Sequence, residues 1–265
     1  MEILNKTGRI FYCIGLAGMV FPQFFYKQFG SNFFPAWPGL PWVAFWVYLF
    51  TVVTLAGCLA IVLNKWPRLV SLLLGSLLLA MYCFGYIPYE LIVAPYHDHL
   101  GTWGDGLKEP ALAGGLLVIA GSFPPEINVQ RSSLIKLLEK LIPLGPFFFC
   151  LTMALYGICH FLYTAPISTL VPNWIPGHML WTYFAGAALI GLGVAIVFRI
   201  RLRLSAILLG TIILIWLIIL HIPFAVADPF GQNSNSVVSA FSALAFSGTA
   251  FVIGSGYYDN YIKRG

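Results

Sequence analysis

From Leu204 to Ala225 the chain places no Asp, Glu, Lys or Arg in 22 consecutive positions, LSAILLGTIILIWLIILHIPFA. A helix of about 20 apolar residues rises ~30 Å, the thickness of the hydrocarbon core of a bilayer. Such a run has few places to go other than lipid. Reading between charges and Pro/Gly clusters gives seven further runs, at about 10–26, 42–63, 69–94, 110–123, 144–163, 179–198 and 237–256. The fourth is the weakest, because only ALAGGLLVIAGSF is available and Lys108, Glu109 and Pro110 precede it. Composition agrees: 60% of the 265 residues are hydrophobic and 9% are charged, against about 25% charged in a soluble domain. The expected fold class is therefore all-α integral membrane, with eight transmembrane helices.

The net charge of +5 is no nucleic-acid signal, since the cations stand at the edges of apolar runs rather than in a basic stripe. In an eight-span arrangement, twelve of the fourteen Lys and Arg fall on one side. They are Lys6, Arg9, Lys65, Arg68, Arg131, Lys136, Lys140, Arg199, Arg201, Arg203, Lys263 and Arg264, leaving Lys27 and Lys108 opposite. Positive loops stay in the cytoplasm, so both termini are expected there. The first run follows Lys6 and Arg9 like a signal peptide, but QFFYKQFGSNFF after it lacks a small-residue cleavage pattern, and it reads as a membrane helix. The five cysteines lie inside apolar runs, with no C-x-x-C pair, and read as small packing groups.

The chain repeats itself. A shift of 137 positions lays Phe11 and Cys13 on Phe148 and Cys150, Phe24 and Tyr26 on Phe161 and Tyr163, and Pro35 and Trp37 on Pro172 and Trp174. A shift of 135 lays Ala60-Ile61-Val62 on Ala195-Ile196-Val197, Arg68-Leu69 on Arg203-Leu204, and Ile87-Pro88 on Ile222-Pro223. Two four-helix membrane halves follow, 1–123 and 144–265, each with an even number of spans and therefore a parallel repeat. Residues 124–143 join them. Within this linker SSLIKLLEKLIP sets Leu134, Leu137, Leu138 and Leu141 on one face, which predicts a short amphipathic helix capped by Ser132 or Ser133 on the cytoplasmic surface.

In the second half, GICHFLY (Gly157 to Tyr163), VPNWIPGHMLW (Val171 to Trp181) and TYFAGAALIGLGVAI (Thr182 to Ile196) resemble the first two helices of DoxX-like bacterial membrane proteins. The first half shares this only through the repeat, where Gln23 stands for His160. The resemblance implies a four-helix membrane bundle in the bacterial inner membrane. It also implies a link to thiosulfate:quinone oxidoreductases and other membrane redox partners.

All five histidines map to the expected outer side, and ionisable groups at membrane depth are default site candidates. His160, His221 and Glu90 are positioned to hydrogen-bond the oxygens of a quinone or similar apolar head group, with Trp174, Trp181, Tyr163 and Phe161 as walls and His178 nearby. A plainer reading has these groups satisfying backbone freed by Pro22, Pro88, Pro95, Pro166 and Pro223. A metal or haem reading, through His97-x-His99 or His160 with His221, has no H-E-x-x-H or C-x-x-C-H behind it. The Pro-x-Trp turns around Trp37 and Trp174 read as rigid loops over each outer mouth. Two classes of function stay open. One is a quinone site working with a redox partner protein; the other is a non-catalytic scaffold, assembly factor or lipid-binding module.

Overall fold

The computed structural model describes residues 1–94, 103–125 and 132–256, so His97, His99, Arg131, Lys263 and Arg264 lie outside the described residues. Among the described residues the secondary structure is helical, without strands. In chain order the helices are α1 (Glu2–Val20), α2 (Gln23–Tyr26), α3 (Val43–Val62), α4 (Pro67–Met81), α5 (Ile87–Ile92), α6 (Lys108–Gly121) and α7 (Ser133–Glu139). They continue with α8 (Gly145–Leu162), α9 (Thr164–Ser168), α10 (His178–Val197), α11 (Leu202–Trp216), α12 (Ile222–Ala227) and α13 (Gly231–Gly254). Seven helical stretches among the described residues are long and apolar enough to cross a membrane, as expected of a multi-pass membrane protein.

The weak fourth run differs from a simple span. Helix α6 has 14 residues, about 21 Å of rise, and every residue from Glu109 to Gly121 is buried. It packs against α4, α8 and α13. A helix that is apolar all round and short belongs at the centre of a bundle, where it meets protein instead of lipid. The largely buried α13 packs beside it.

Glycines bring these central helices to their neighbours. A Cβ at Gly8 of α1 would lie 2.7 Å from the Gly248 carbonyl of α13, and one at Gly248 would lie 2.5 Å from the Gly8 carbonyl. Between α6 and α8 the relation recurs: 2.6 Å from a Cβ at Gly114 to the Gly145 carbonyl, and 2.9 Å in reverse. Only a residue without a side chain permits such backbone contact. Both contacts join an early-half helix to a late-half helix.

Local geometry also recurs along the chain. The π-helical turn Tyr82–Tyr86 precedes Ile87-Pro88, and the π turn Leu217–His221 precedes Ile222-Pro223. Proline cannot donate to the preceding turn, and one extra residue in the ring accommodates that gap. Left-handed backbone occurs at Trp42 and Gly177, at Asn64 and Arg199, and at Trp66 and Arg201, each pair 135 positions apart.

One end of the bundle is held by arginine. Arg68, almost fully buried, pairs with Glu139 at 2.9 Å and donates to the Ala120 and Phe123 carbonyls at the C-terminal end of α6. Arg203 lies against Gly256, just past α13. Arg9 stacks over the Phe123 ring at 4.1 Å. A cation suits carbonyls left unpaired at a helix end. The Ser132 hydroxyl accepts the Ile135 N–H at 3.3 Å, the cap expected for α7. The leucine face of α7 is split, however: Leu138 and Leu141 pack on the core, whereas Leu134 and Leu137 are exposed.

Replacing Gly248 by Val is expected to destabilise the protein by about 1–3 kcal/mol or more through overpacking. Gly191→Ala, with open space around its Cβ, should be neutral or stabilising. Thermal unfolding of both variants in detergent checks this, and equal effects would count against the glycine contacts.

Candidate functional site

At the end of the bundle away from Arg68 a cavity of about 350 Å³ opens between α8, α10, α11, the second π turn and α13. On α8, Met153, Tyr156 and His160 lie at helical spacing on the inner face, and α10 adds Trp181, Thr182 and Ala185. Trp216 and His221 enter from α11 and its π turn; Ser239, Ser242 and Phe246 enter from α13. Lys108, at the start of α6, completes the wall. The π turn matters here because its extra residue shifts the side-chain phase just before Pro223, and His221 is its last residue.

Most hydroxyls in this wall are already engaged. Tyr156 donates to the Gly104 carbonyl at 2.9 Å, Thr182 to His178 at 2.9 Å, and Ser242 to Ser239 at 2.8 Å. The His160 ring has one edge fixed: a carbonyl only accepts, so Nδ1–H donates to the Tyr156 carbonyl at 2.7 Å. In the neutral ring this leaves Nε2, on the far edge, as an acceptor. His221 is close enough to Lys108 for their charges to interact. A guest here meets one fixed acceptor, one imidazole able to donate or accept, the Ser239 hydroxyl and an ammonium shared with Asp105, on a largely apolar surface.

Lys108 is an unusual group to find there. The positive end of the α6 dipole opposes a cation in the first turn. Asp105 offsets this, with its carboxylate 3.1 Å from Nζ and a hydrogen bond from Ser31 at 2.7 Å. Burial pushes the Asp105 carboxyl up, but the Lys108 ammonium and the Ser31 hydroxyl outweigh it and hold it below the ordinary carboxylate range.

Of the residues singled out in the sequence, His160, His221 and Trp181 line one cavity. Trp181 meets Trp216 edge-on at 6.4 Å. The others fall elsewhere. Glu90 is buried beside a second cavity, formed by the first half and the start of α13. Tyr163 lies where the backbone leaves α8 with φ −116° and ψ 39°, a break that turns it off the His160 face. Phe161 stacks on Tyr183 at 5.6 Å, outside the cavity. His178 opens α10, half-buried, and only its carbonyl is engaged by Thr182. Trp174 sits in the turn closed by the Ile175 N–H and the Pro172 carbonyl, and its side chain is 73% exposed. The two tryptophan turns therefore differ: Trp37 donates its Nε1–H to the Gly85 carbonyl of the first π turn at 3.1 Å. Tyr156, Lys108 and Ser242 went unremarked as site residues. The i, i+4 relation of Tyr156 to His160 was the available signal, whereas Lys108 is distant from every other wall residue in sequence.

Among the described residues no group of three or more His, Cys, Asp or Glu is placed to hold a metal ion. No family model matches the chain, and no curated protein or solved structure does so either.

A folded-state carboxyl held low contributes stability that is full above its unfolded value, roughly pH 4, and is lost as the pH falls through the folded value. The melting temperature should therefore drop on acidification below about pH 4, and Asp105→Asn should flatten that part of the profile. An unchanged profile in the variant would remove the Asp105–Lys108 pair as its source.

Proposed function

We propose that the chain is a duplicated, DoxX-like protein of the bacterial inner membrane that holds a quinone-like head group in the cavity between His160 and His221. In this reading α6 counts as an eighth crossing. Its last carbonyls reach Arg68 at one end and its Lys108 reaches the histidine cavity at the other, which supports a complete traverse. Residues 1–123 and 144–265 are the two parallel halves, and 124–143 connects them. The gathering of Arg9, Arg68 and Glu139 at the end opposite the cavity supports cytoplasmic termini and a cavity at the outer face.

The observation that carries the ligand class is the division of labour in the cavity wall. Apolar rings and aliphatic chains make most of it, and its polar groups include His160 Nε2, the His221 ring and the Lys108 ammonium, which Asp105 already holds on one side. A quinone carbonyl accepts from an imidazole N–H or an ammonium, and a quinol hydroxyl donates to an imidazole nitrogen. The same groups bind either redox form, which suits a ligand that changes between them. Electron exchange would need a redox partner protein, since all five cysteines are free thiols and the cavity wall carries just one of them, Cys159.

Gently solubilised protein should release quinone into an organic extract. His160→Ala combined with His221→Ala should weaken binding of a short-tailed ubiquinone analogue about tenfold or more, the loss of one to two hydrogen bonds. Ala243→Phe, which fills the cavity, should do the same without touching either histidine. A phospholipid in the extract, with no quinone and no effect of the variants, would replace this reading with a lipid-binding or scaffold role.

A further inference from the structure

The second cavity, about 410 Å³, lies in the first half and shares one corner with the histidine cavity under the repeat, while α3 and α4, the counterparts of α10 and α11, take no part in it. Under the repeat Gln23 stands for His160, and Tyr86, the last residue of the first π turn, stands for His221. Both line this cavity. The corner that the two cavities share under the repeat thus carries different chemistry in each.

Three features define that chemistry. Among the described residues the lining contains two carboxylates, Glu90 and Asp105, and no Lys, Arg or His. Lys108 offsets Asp105 from behind, while Glu90 is buried next to Tyr86. Gln23 is 3% exposed, and neither its Oε1 nor its Nε2 finds a hydrogen-bond partner among the described residues. Asn32, also 3% exposed, has an unpartnered Oδ1 on the same wall. Buried amides left without partners are unfavourable, and a native fold retains them where something else supplies the bonds. The rings of Tyr26, Tyr86 and Tyr89 stand around these groups, with Tyr89 held edge-on by Trp37 at 5.6 Å. The far wall is a run of left-handed backbone, Gln232, Asn233 and Ser234, pinned where Tyr26 and Ser234 share a hydrogen bond of 2.9 Å. Left-handed conformations are disfavoured for such residues, and strain of this kind concentrates at binding sites.

We infer that this cavity is a second ligand site and that it takes a small organic cation, an ammonium carrying hydroxyl or amide groups. Carboxylate charge together with aromatic faces attracts an alkylated ammonium. Gln23 and Asn32 supply acceptors and a donor for its polar substituents. A bare divalent ion fits less well, because two carboxylates are too few hard anionic ligands and Lys108 already stands against Asp105. The inference does not depend on the quinone reading.

The test uses choline chloride as the probe on the full chain in detergent, by isothermal titration calorimetry and thermal unfolding, with sodium chloride, calcium chloride and glycerol as references. Choline is expected to bind and to raise the melting temperature; the references are not. Glu90→Gln should weaken choline about tenfold or more. Gln23→Leu should raise the melting temperature of the ligand-free protein, since it removes a buried amide without partners, and should abolish the rise given by choline. His160→Ala with His221→Ala should leave choline binding intact, so the two sites succeed or fail separately. Absence of choline binding, equal binding by both cavity variants and the native protein, or preference for glycerol or calcium would overturn the assignment.

Discussion

Backbone contact at two glycine pairs, Gly8 with Gly248 and Gly114 with Gly145, is the constraint on which the rest of the molecule depends. In lipid there is little hydrophobic gain from bringing two apolar helices together, so close packing has to supply the cohesion. Removing both side chains at a crossing lets dispersion and weak backbone contacts act at the shortest range. Each pair ties a helix of the first half to one of the second, α1 to α13 and α6 to α8. The two halves are therefore locked into one body, and α6 with α13 can occupy its centre.

That centre has consequences at both ends. At one end the carbonyls of α6 need partners, and Arg68 supplies them while reaching across to Glu139 of the linker helix. At the other end α6 begins with Lys108, which borders the histidine cavity and is balanced by Asp105 beside the polar one. A single short helix thus stands between two pockets of different character. The Ile-Pro steps complete the arrangement: each forces a π turn, and each π turn sets its last residue, Tyr86 or His221, into a pocket wall.

Reading the chain as a string found these parts unevenly. The boundaries of α3, α8 and α10 fall within one or two residues of the apolar runs, because a change from lipid to water at each end is written in composition. Helix α6 looked like a poor span for a sound reason: wholly surrounded by protein, it needs neither full length nor a lipid-facing stripe. For the site, His160, His221 and Trp181 were recoverable as ring-bearing groups near one end. Glu90 was grouped with them by its depth alone, and depth does not say which way a helix faces.

The sequence by itself determined that this is a helical membrane protein, where its long helices run, and that its second half echoes its first. Hydropathy and repetition are properties of a string, so a string suffices for them. Only the tertiary structure decided that His160 and Glu90 line separate cavities and which polar groups face each. It also revealed that Lys108 of the first half reaches the histidines of the second. Those relations depend on helix rotation and crossing, which are set by glycine contacts between residues more than a hundred positions apart in one case and about thirty in the other.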